Sequence, residues 1–221
     1  MDNFLFAYPI LQNYQVTWTV YIVSNFINKK SVPTEFVSQE IINSNSSISL
    51  KIGGNMYDFD LTVEKYKETC YQLLKNELKA VNTKEDFLDI NESLKSIYVD
   101  TEFKLINENL FMSKQHLREL AKDALVTIGN HTKSHFRLEY LETRDAYKEV
   151  EEGFFQVKKI IGYCPVHFSY PYGSKNKTLI SSLKDCPFVA SAMATNNLGK
   201  QRINNVYSLP RTEIVGNITI Y

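Results

Sequence analysis

Residues 129–135 read GNHTKSH and set two imidazoles, His131 and His135, four positions apart. Two neutral imidazoles on one turn of chain can converge on a single divalent ion such as Zn²⁺. In hydrolytic sites that ion usually takes three protein ligands and keeps one position for water. A third ligand must therefore come from elsewhere. Lys133 and Ser134 place no carboxylate between the histidines, so the pattern is not the HExxH of zinc proteases, and an isolated HxxxH also arises by accident on surfaces and in cores. The second stretch with chemical potential is FSYPYG at residues 168–173. Pro171 and Gly173 flanking Tyr172 fix a tight loop in which a backbone N–H can be aimed at a developing oxyanion, the device amide hydrolysis most needs. By itself the same tripeptide is equally a plain strand-to-helix turn.

Both stretches follow segments that read as strands, at 124–128 and 166–170, and a further strand is expected at 188–192. Helices are expected at 113–122, through the long interval between the two motifs, and briefly after the second one. The long helix is marked by Ala146, Val150, Phe154, Val157 and Ile161 recurring every three to four residues. Strands alternating with helices imply a parallel sheet, closed or open, and in such folds the loops at the C-terminal strand ends face the ligand crevice. Upstream, VTWTVYIV at 16–23 has the β-branched and aromatic density of a strand buried on both faces. Residues 2–13 carry Phe4, Leu5, Tyr8 and Leu11 at helical spacing, with Asp2 as N-cap and Pro9 bending or breaking the helix. Alternation over 48–61 around Gly53, Gly54 and Asn55 predicts a hairpin. Two Lys-, Glu- and Leu-rich segments over 61–98, with Thr83 as a cap between them, predict helices.

Composition excludes several classes. The chain of 221 residues is 43% hydrophobic and 23% charged, as expected for a globular protein with a substantial core. Lys plus Arg and Asp plus Glu both number 25, so the basic footprint of a nucleic-acid binder is missing. Cys70, Cys164 and Cys186 are odd in number with no CxxC pair, which predicts reduced, partly buried thiols. MDNFLFAYPI has no basic leader and no apolar run is long enough for a membrane span, which gives a cytoplasmic expectation. His116, in a predicted helix, and His167, within a predicted strand, read as structural histidines.

In combination, GNHTKSH, a long helix and FSYPYG resemble the second and third motifs of the polysaccharide deacetylase (NodB-like) family. MDNFLFAYPILQNYQVTWTVYIVSNFI is similar to the stretch that follows the family's TFDDGY motif, SKQHLRELAKDALVTIG to its approach to the histidine pair, and YSLPR to a later segment. The resemblance implies a distorted (β/α) barrel with fewer than eight regular strands, forming one catalytic domain over 1–221 with a helical and hairpin insertion at about 35–110. It implies a divalent metal, foremost Zn²⁺, and hydrolysis of N-acetyl groups on a polysaccharide or oligosaccharide. Carried across by position, His131 and His135 would be metal ligands and the backbone N–H of Tyr172 would hold the oxyanion. Thr132 would order the loop between the histidines and, with Pro171 and Gly173, line the substrate site. Arg211, on a late strand, reads either as a further substrate-site residue or as one half of a surface ion pair.

Three departures stand beside the resemblance. The family's catalytic base and third metal ligand are the aspartates of TFDDG, and Met1 aligns just past that segment, so neither is present here and the first barrel strand is expected to be missing too. Asp2 matches a later aspartate, for which helix capping is the simpler role. Ser169 stands where many members have an arginine that orients the catalytic carboxylate, and no histidine follows His167 to act as a late acid. Two expectations follow: a deacetylase impaired by the missing acidic motif, or an inactive relative or carbohydrate-binding protein on the same fold.

Overall fold

The computed structural model describes residues 2–28, 30, 38, 41–52, 54–80, 85, 110–195 and 205–211. The chain divides into two compact units, one formed by Met1–Asp2 and Asn25–Ser113, the other by Asn3–Ser24 and Lys114–Tyr221.

The second unit carries both motifs on a parallel sheet. Its strands are β1 (Trp18–Ile22), β4 (Val126–Asn130), β5 (His167–Ser169), β6 (Ser191–Thr195) and β7 (Leu209–Pro210), in the order β1-β4-β5-β6-β7. All four pairings are parallel, as the alternation of strands and helices requires. Tyr21 lies opposite Gly129 and Ile22 opposite Asn130, while Asn130 also pairs with Phe168. The C-terminal ends of β1, β4 and β5 are therefore adjacent, and both motifs leave the sheet at the same edge.

One long helix contributes a buried face to the core of this unit. Helix α5 (Thr143–Ile161) buries Ala146, Val150, Gly153, Phe154, Val157 and Ile160, the three-to-four spacing that gives a helix one apolar face. Gly162 ends it in the left-handed conformation, φ 92°, with its N–H donating to the Lys158 carbonyl. Fully buried Phe154 and Phe168 meet with ring centroids 6.4 Å apart, and Tyr170, Leu179 and Leu183 complete the cluster. Burying each of these large side chains contributes about 1.5–3 kcal/mol. Helix α6 (Lys177–Lys184) begins at Asn176, whose side chain accepts the Leu179 N–H.

Three details differ from the sequence reading. The strand before the histidines starts two residues later than expected, because Asp123 forms a turn first. Its carboxylate accepts the Leu125 N–H and its carbonyl the Val126 N–H. Strand β1 is not buried on both faces: Val20 and Ile22 are buried but Thr19 is exposed, as fits a strand at the end of the described sheet order. Asp2 is not the N-cap of a regular helix. Residues Asn3–Ala7 form a π-helical turn, and α1 (Tyr8–Asn13) follows with Ala7 at its N-cap and Pro9 in its first turn. Proline has no N–H to give and fits only there. Phe4 and Tyr8 make tertiary contacts, stacking on His116 and bonding to Asp123, while Leu5 is left 53% exposed.

The first unit contains the expected hairpin, β2 (Ser47–Ile52) against β3 (Asn55–Asp60), with Ile52 opposite Asn55 and Gly54 at φ 81° in the turn. Helix α3 (Glu64–Ala80) follows, and Ile41, Ile48, Leu50, Leu61, Cys70 and Leu74 form the buried cluster. The second helical segment expected before residue 98 and the cap at Thr83 lie outside the described residues, apart from Glu85. No described helix is long and apolar enough to cross a membrane, and the three cysteines are free.

Candidate active site

His131 follows directly on β4, and its backbone N–H donates to the Ile22 carbonyl of β1 at 2.9 Å. The next residue, Thr132, takes φ 69°, a left-handed conformation that a β-branched residue rarely adopts. It is fully buried, its carbonyl accepts the Ser24 N–H, and its hydroxyl accepts the His135 N–H at 2.9 Å. This side-chain bond closes the loop, and with His135 also left-handed at φ 65° it brings the two rings together. Their centroids are 4.9 Å apart at an interplanar angle of 64°.

Helix α5 holds the same loop from the side. Glu149 accepts the Lys133 N–H on its backbone carbonyl at 2.9 Å and the Ser134 N–H on its carboxylate at 2.8 Å. The Asn130 amide donates to the Val150 carbonyl at 2.9 Å, and Lys133 pairs with Glu152 at 2.7 Å. Gly153 lets the helix come this close. A Cβ there would collide with Asn130 Oδ1 and lie 2.8 Å from the Thr132 carbonyl carbon. Gly129 does the same across the sheet, where a Cβ would meet the Tyr21 ring at 2.5 Å. Burial raises the pKa of Glu149, against the lowering effect of its Ser134 bonds and of Lys133.

The second motif forms its own turn. The Gly173 N–H donates to the Tyr170 carbonyl at 3.0 Å and the Ser174 N–H to the Pro171 carbonyl at 2.9 Å. Tyr172 sits between them at φ 56°, and its ring lies 4.8 Å from the His135 ring, centroid to centroid. The two motifs thus meet, with Pro171 buried beneath the turn and Gly173 at φ 70° closing it.

The electrostatics favour neutral imidazoles. His131 Nδ1 lies 2.7 Å from the Ser169 carbonyl, which can only accept, so Nδ1 carries the proton and Nε2 keeps its lone pair. Burial pushes His131 down to about 4, against the raising effect of that carbonyl and with the Arg211 charge lowering it further. His135 falls to about 3 through burial, then because protonating it would set a second charge beside His131 if that ring were protonated, and beside Arg211. Arg211 therefore stands close to both rings, and its Nη1 donates to the buried Ser169 hydroxyl at 2.9 Å. The guanidinium comes from the end of β7 to the residue whose carbonyl fixes the His131 tautomer.

Two neutral rings with a defined tautomer fit two positions of a Zn²⁺-type ligand set. Among the described residues no group of three His, Cys, Asp or Glu side chains completes it. His116 stacks on Phe4 at 4.3 Å and His167 Nδ1 lies 2.7 Å from the Ser191 hydroxyl, so each is engaged in a contact of its own. Sequence reasoning missed Glu149, Gly153, Tyr21 and Arg137. Of these only Gly153 carried a signal, as the single glycine inside a long amphipathic helix.

Comparison with known proteins adds an independent observation. Residues 3–191 match the family model described as polysaccharide deacetylase. No curated protein matches the chain. Among solved structures, the chain is similar to the Streptococcus pyogenes deacetylase PplD in complex with acetate, with TM-score 0.44 and 20% identity over 48% of this chain and 46% of that one. A de-N-acetylase from Aggregatibacter actinomycetemcomitans aligns with TM-score 0.47 and 14% identity over 95% of this chain and 64% of that one. The peptidoglycan deacetylase PdaC from Bacillus subtilis aligns at 33% identity and TM-score 0.30 over 32% of this chain and 34% of that one. The chain spans less than two thirds of the length of each of these proteins.

Proposed function

We propose that this chain, which belongs to the polysaccharide deacetylase family, is a metal-dependent hydrolase that removes N-acetyl groups from a polysaccharide or oligosaccharide on a barrel-type fold. The observation that carries this reading is the meeting of His131 and His135 as neutral rings beside the Tyr172 turn. His131, through Nε2, and His135 would hold the ion, foremost Zn²⁺. When bound, such an ion polarises an acetyl carbonyl and lowers the pKa of its water.

The chain's own residues supply the surroundings. Ser169 and Arg211 keep the His131 ring oriented and its Nδ1 protonated. Thr132 sets the spacing of the two rings through the His135 N–H. The Tyr172 backbone N–H, presented by a left-handed turn between Pro171 and Gly173, is the group assigned to the oxyanion of the tetrahedral intermediate.

A second reading has its own support. The carboxylate that would take the proton from water is not found with the histidines among the described residues, which favours a carbohydrate-binding relative that does not hydrolyse. One experiment separates the two. Purified protein loaded with Zn²⁺ is expected to hold one ion per chain and release acetate from an N-acetylated chitooligosaccharide. His131→Ala and His135→Ala should each lose the ion and reduce release by at least about 100-fold, the scale on which a metal site's contribution is felt. Oligosaccharide binding without acetate release would establish the second reading instead.

A further inference from the structure

Two of the three thiols share one corner of the parallel sheet. Cys164 lies between Gly162, which ends α5, and the start of β5. Cys186 lies between α6 and β6, where its N–H donates to the Leu183 carbonyl at 3.2 Å and its carbonyl accepts the Val189 N–H at 3.3 Å. The strands that follow are paired in parallel, His167 opposite Ser191, and one step earlier the Ala190 N–H donates to the Val166 carbonyl at 2.8 Å. The two cysteines therefore lead into the same pair of strands at the same end. Cys186 is buried in the cluster of Phe168, Leu183 and Val189, and Cys164 packs against that cluster. The Tyr147 hydroxyl, reaching from α5, is hydrogen-bonded to Cys186.

The two thiols differ in what can reach them. Cys164 is half-buried, whereas Cys186 is 4% exposed. Burial raises the Cys164 pKa, the Lys158 charge lowers it, and a thiolate at Cys186 raises it again. That last effect weakens with distance and is felt between groups that are near each other. A cationic neighbour favours the thiolate, the species that attacks a disulfide. Cys164 is thus the thiol that a solute meets, and Cys186 is the one sheltered in the cluster. Cys70 has neither advantage. It is fully buried with Ile41, Leu50 and Leu74, and burial pushes its thiol up to about 11.

We infer that Cys164 and Cys186 are a redox pair that closes into a disulfide on meeting a small disulfide of the glutathione class, fastening together the two ends of the segment that carries β5, the Tyr172 turn and α6. The Cys164 thiolate attacks one sulfur of oxidised glutathione, which forms a mixed disulfide and releases one glutathione thiolate. The Cys186 thiolate then attacks the Cys164 sulfur, which forms the internal bond and releases the second. Both protein thiols are oxidised and give up their protons, and the glutathione disulfide is reduced to its thiols. The pair needs neither metal nor glycan, so it stands apart from the deacetylase reading.

The test incubates the reduced full chain with excess oxidised glutathione at about pH 8.5, near the ordinary thiol pKa. The reaction is quenched with acid, the remaining thiols are alkylated with N-ethylmaleimide in denaturant, and the peptides are mapped by mass without reductant. A peptide pair joined through Cys164 and Cys186 is expected, with Cys70 alkylated, and dithiothreitol should reverse the bond. Cys186→Ser should stop at the glutathione adduct of Cys164, and Cys164→Ser should stay unmodified because its remaining thiols are buried. The oxidised wild type should keep a cooperative melting transition and melt several degrees above the reduced form, since the bond closes a loop in the unfolded chain. Three alkylated thiols after the incubation, or a glutathione adduct of Cys164 that goes no further in the wild type, overturns the inference. So does a bond to Cys70, or a Cys164–Cys186 bond whose formation abolishes the melting transition, because the thiols would then have met only in the unfolded chain.

Discussion

The loop after β4 is held from outside, by Glu149 and Val150 of α5 and by the space that Gly153 leaves, whereas the loop after β5 is held by its own backbone, through bonds from Gly173 to Tyr170 and from Ser174 to Pro171. Each contains left-handed non-glycine residues: Thr132 and His135 in the first, Tyr172 in the second. In the first loop those conformations go with the Thr132–His135 bond and with the contacts that the following helix, α5, makes to Lys133 and Ser134. In the second they come with the Pro–Tyr–Gly turn itself. A site built from one borrowed and one self-contained loop should respond very differently to changes on its two sides.

The largest effect is expected at Gly153. In the middle of most helices glycine to alanine stabilises by about 0.5–1 kcal/mol. Here the added Cβ would lie 2.8 and 3.0 Å from the carbonyl carbon and oxygen of Thr132, which are backbone atoms, and would overlap Asn130 Oδ1. Gly153→Ala should therefore destabilise by about 1–3 kcal/mol, the usual cost of overpacking, and lower the melting temperature by several degrees. Zinc stoichiometry measured on the same variant should fall as the rings move apart. A raised melting temperature with full zinc would show that α5 does not press on the histidine loop.

The same contrast explains what could be read from the amino acids alone. The turn at Tyr172 is legible because proline and glycine act on their immediate neighbours, and the parallel sheet is legible because strands and helices alternate. The supports of the histidine loop are not, because Glu149 looks like any charge on a solvated helix face until the fold places it under Ser134. The β4 boundary was missed by two residues for a local reason, the Asp123 turn. The burial of β1 was misread for a global one, since an apolar run cannot say whether a strand has neighbours on both sides. The contacts of Arg137 and Lys175 are invisible too: in sequence both are ordinary surface charges, and only the fold shows that they meet a ring and a hydroxyl.

A smaller effect, confined to the histidine loop, is expected on acidification of the metal-free protein. His131 and His135 are held at about 4 and about 3 in the folded state, mainly by burial, while unfolded imidazoles titrate near 6.5. The unfolded chain then binds more protons than the folded one throughout that interval. The stability these neutral rings contribute is fully present above about 6.5 and is lost progressively as pH falls toward 4 and then 3. Partial solvent access reduces the loss to about 1 kcal/mol per ring between pH 7 and pH 5. Melting temperatures at the two pH values should differ by several degrees more in the wild type than in His131→Gln/His135→Gln. This comparison also cancels the opposite contribution of Glu149, whose raised pKa favours the folded state in acid. An equal pH dependence in the double variant would mean that the rings are charged in the folded protein.

The smallest effect belongs to the self-contained loop and separates its backbone from its ring. Tyr172→Gly and Tyr172→Ala both remove the contacts with His135 and Arg137. They differ only in what the residue does at φ 56°. Alanine there retains the left-handed penalty of about 1–2 kcal/mol, whereas glycine avoids it and instead loses about 0.5–1 kcal/mol to the greater freedom of the unfolded chain. The glycine variant should therefore melt slightly higher than the alanine variant, by about 0.5–1 kcal/mol, the reverse of the order expected where φ is negative. Chemical denaturation of the two variants side by side resolves a difference of that size. If alanine proves the more stable, the Tyr172 backbone is not left-handed in solution, and the N–H assigned to the oxyanion would face elsewhere.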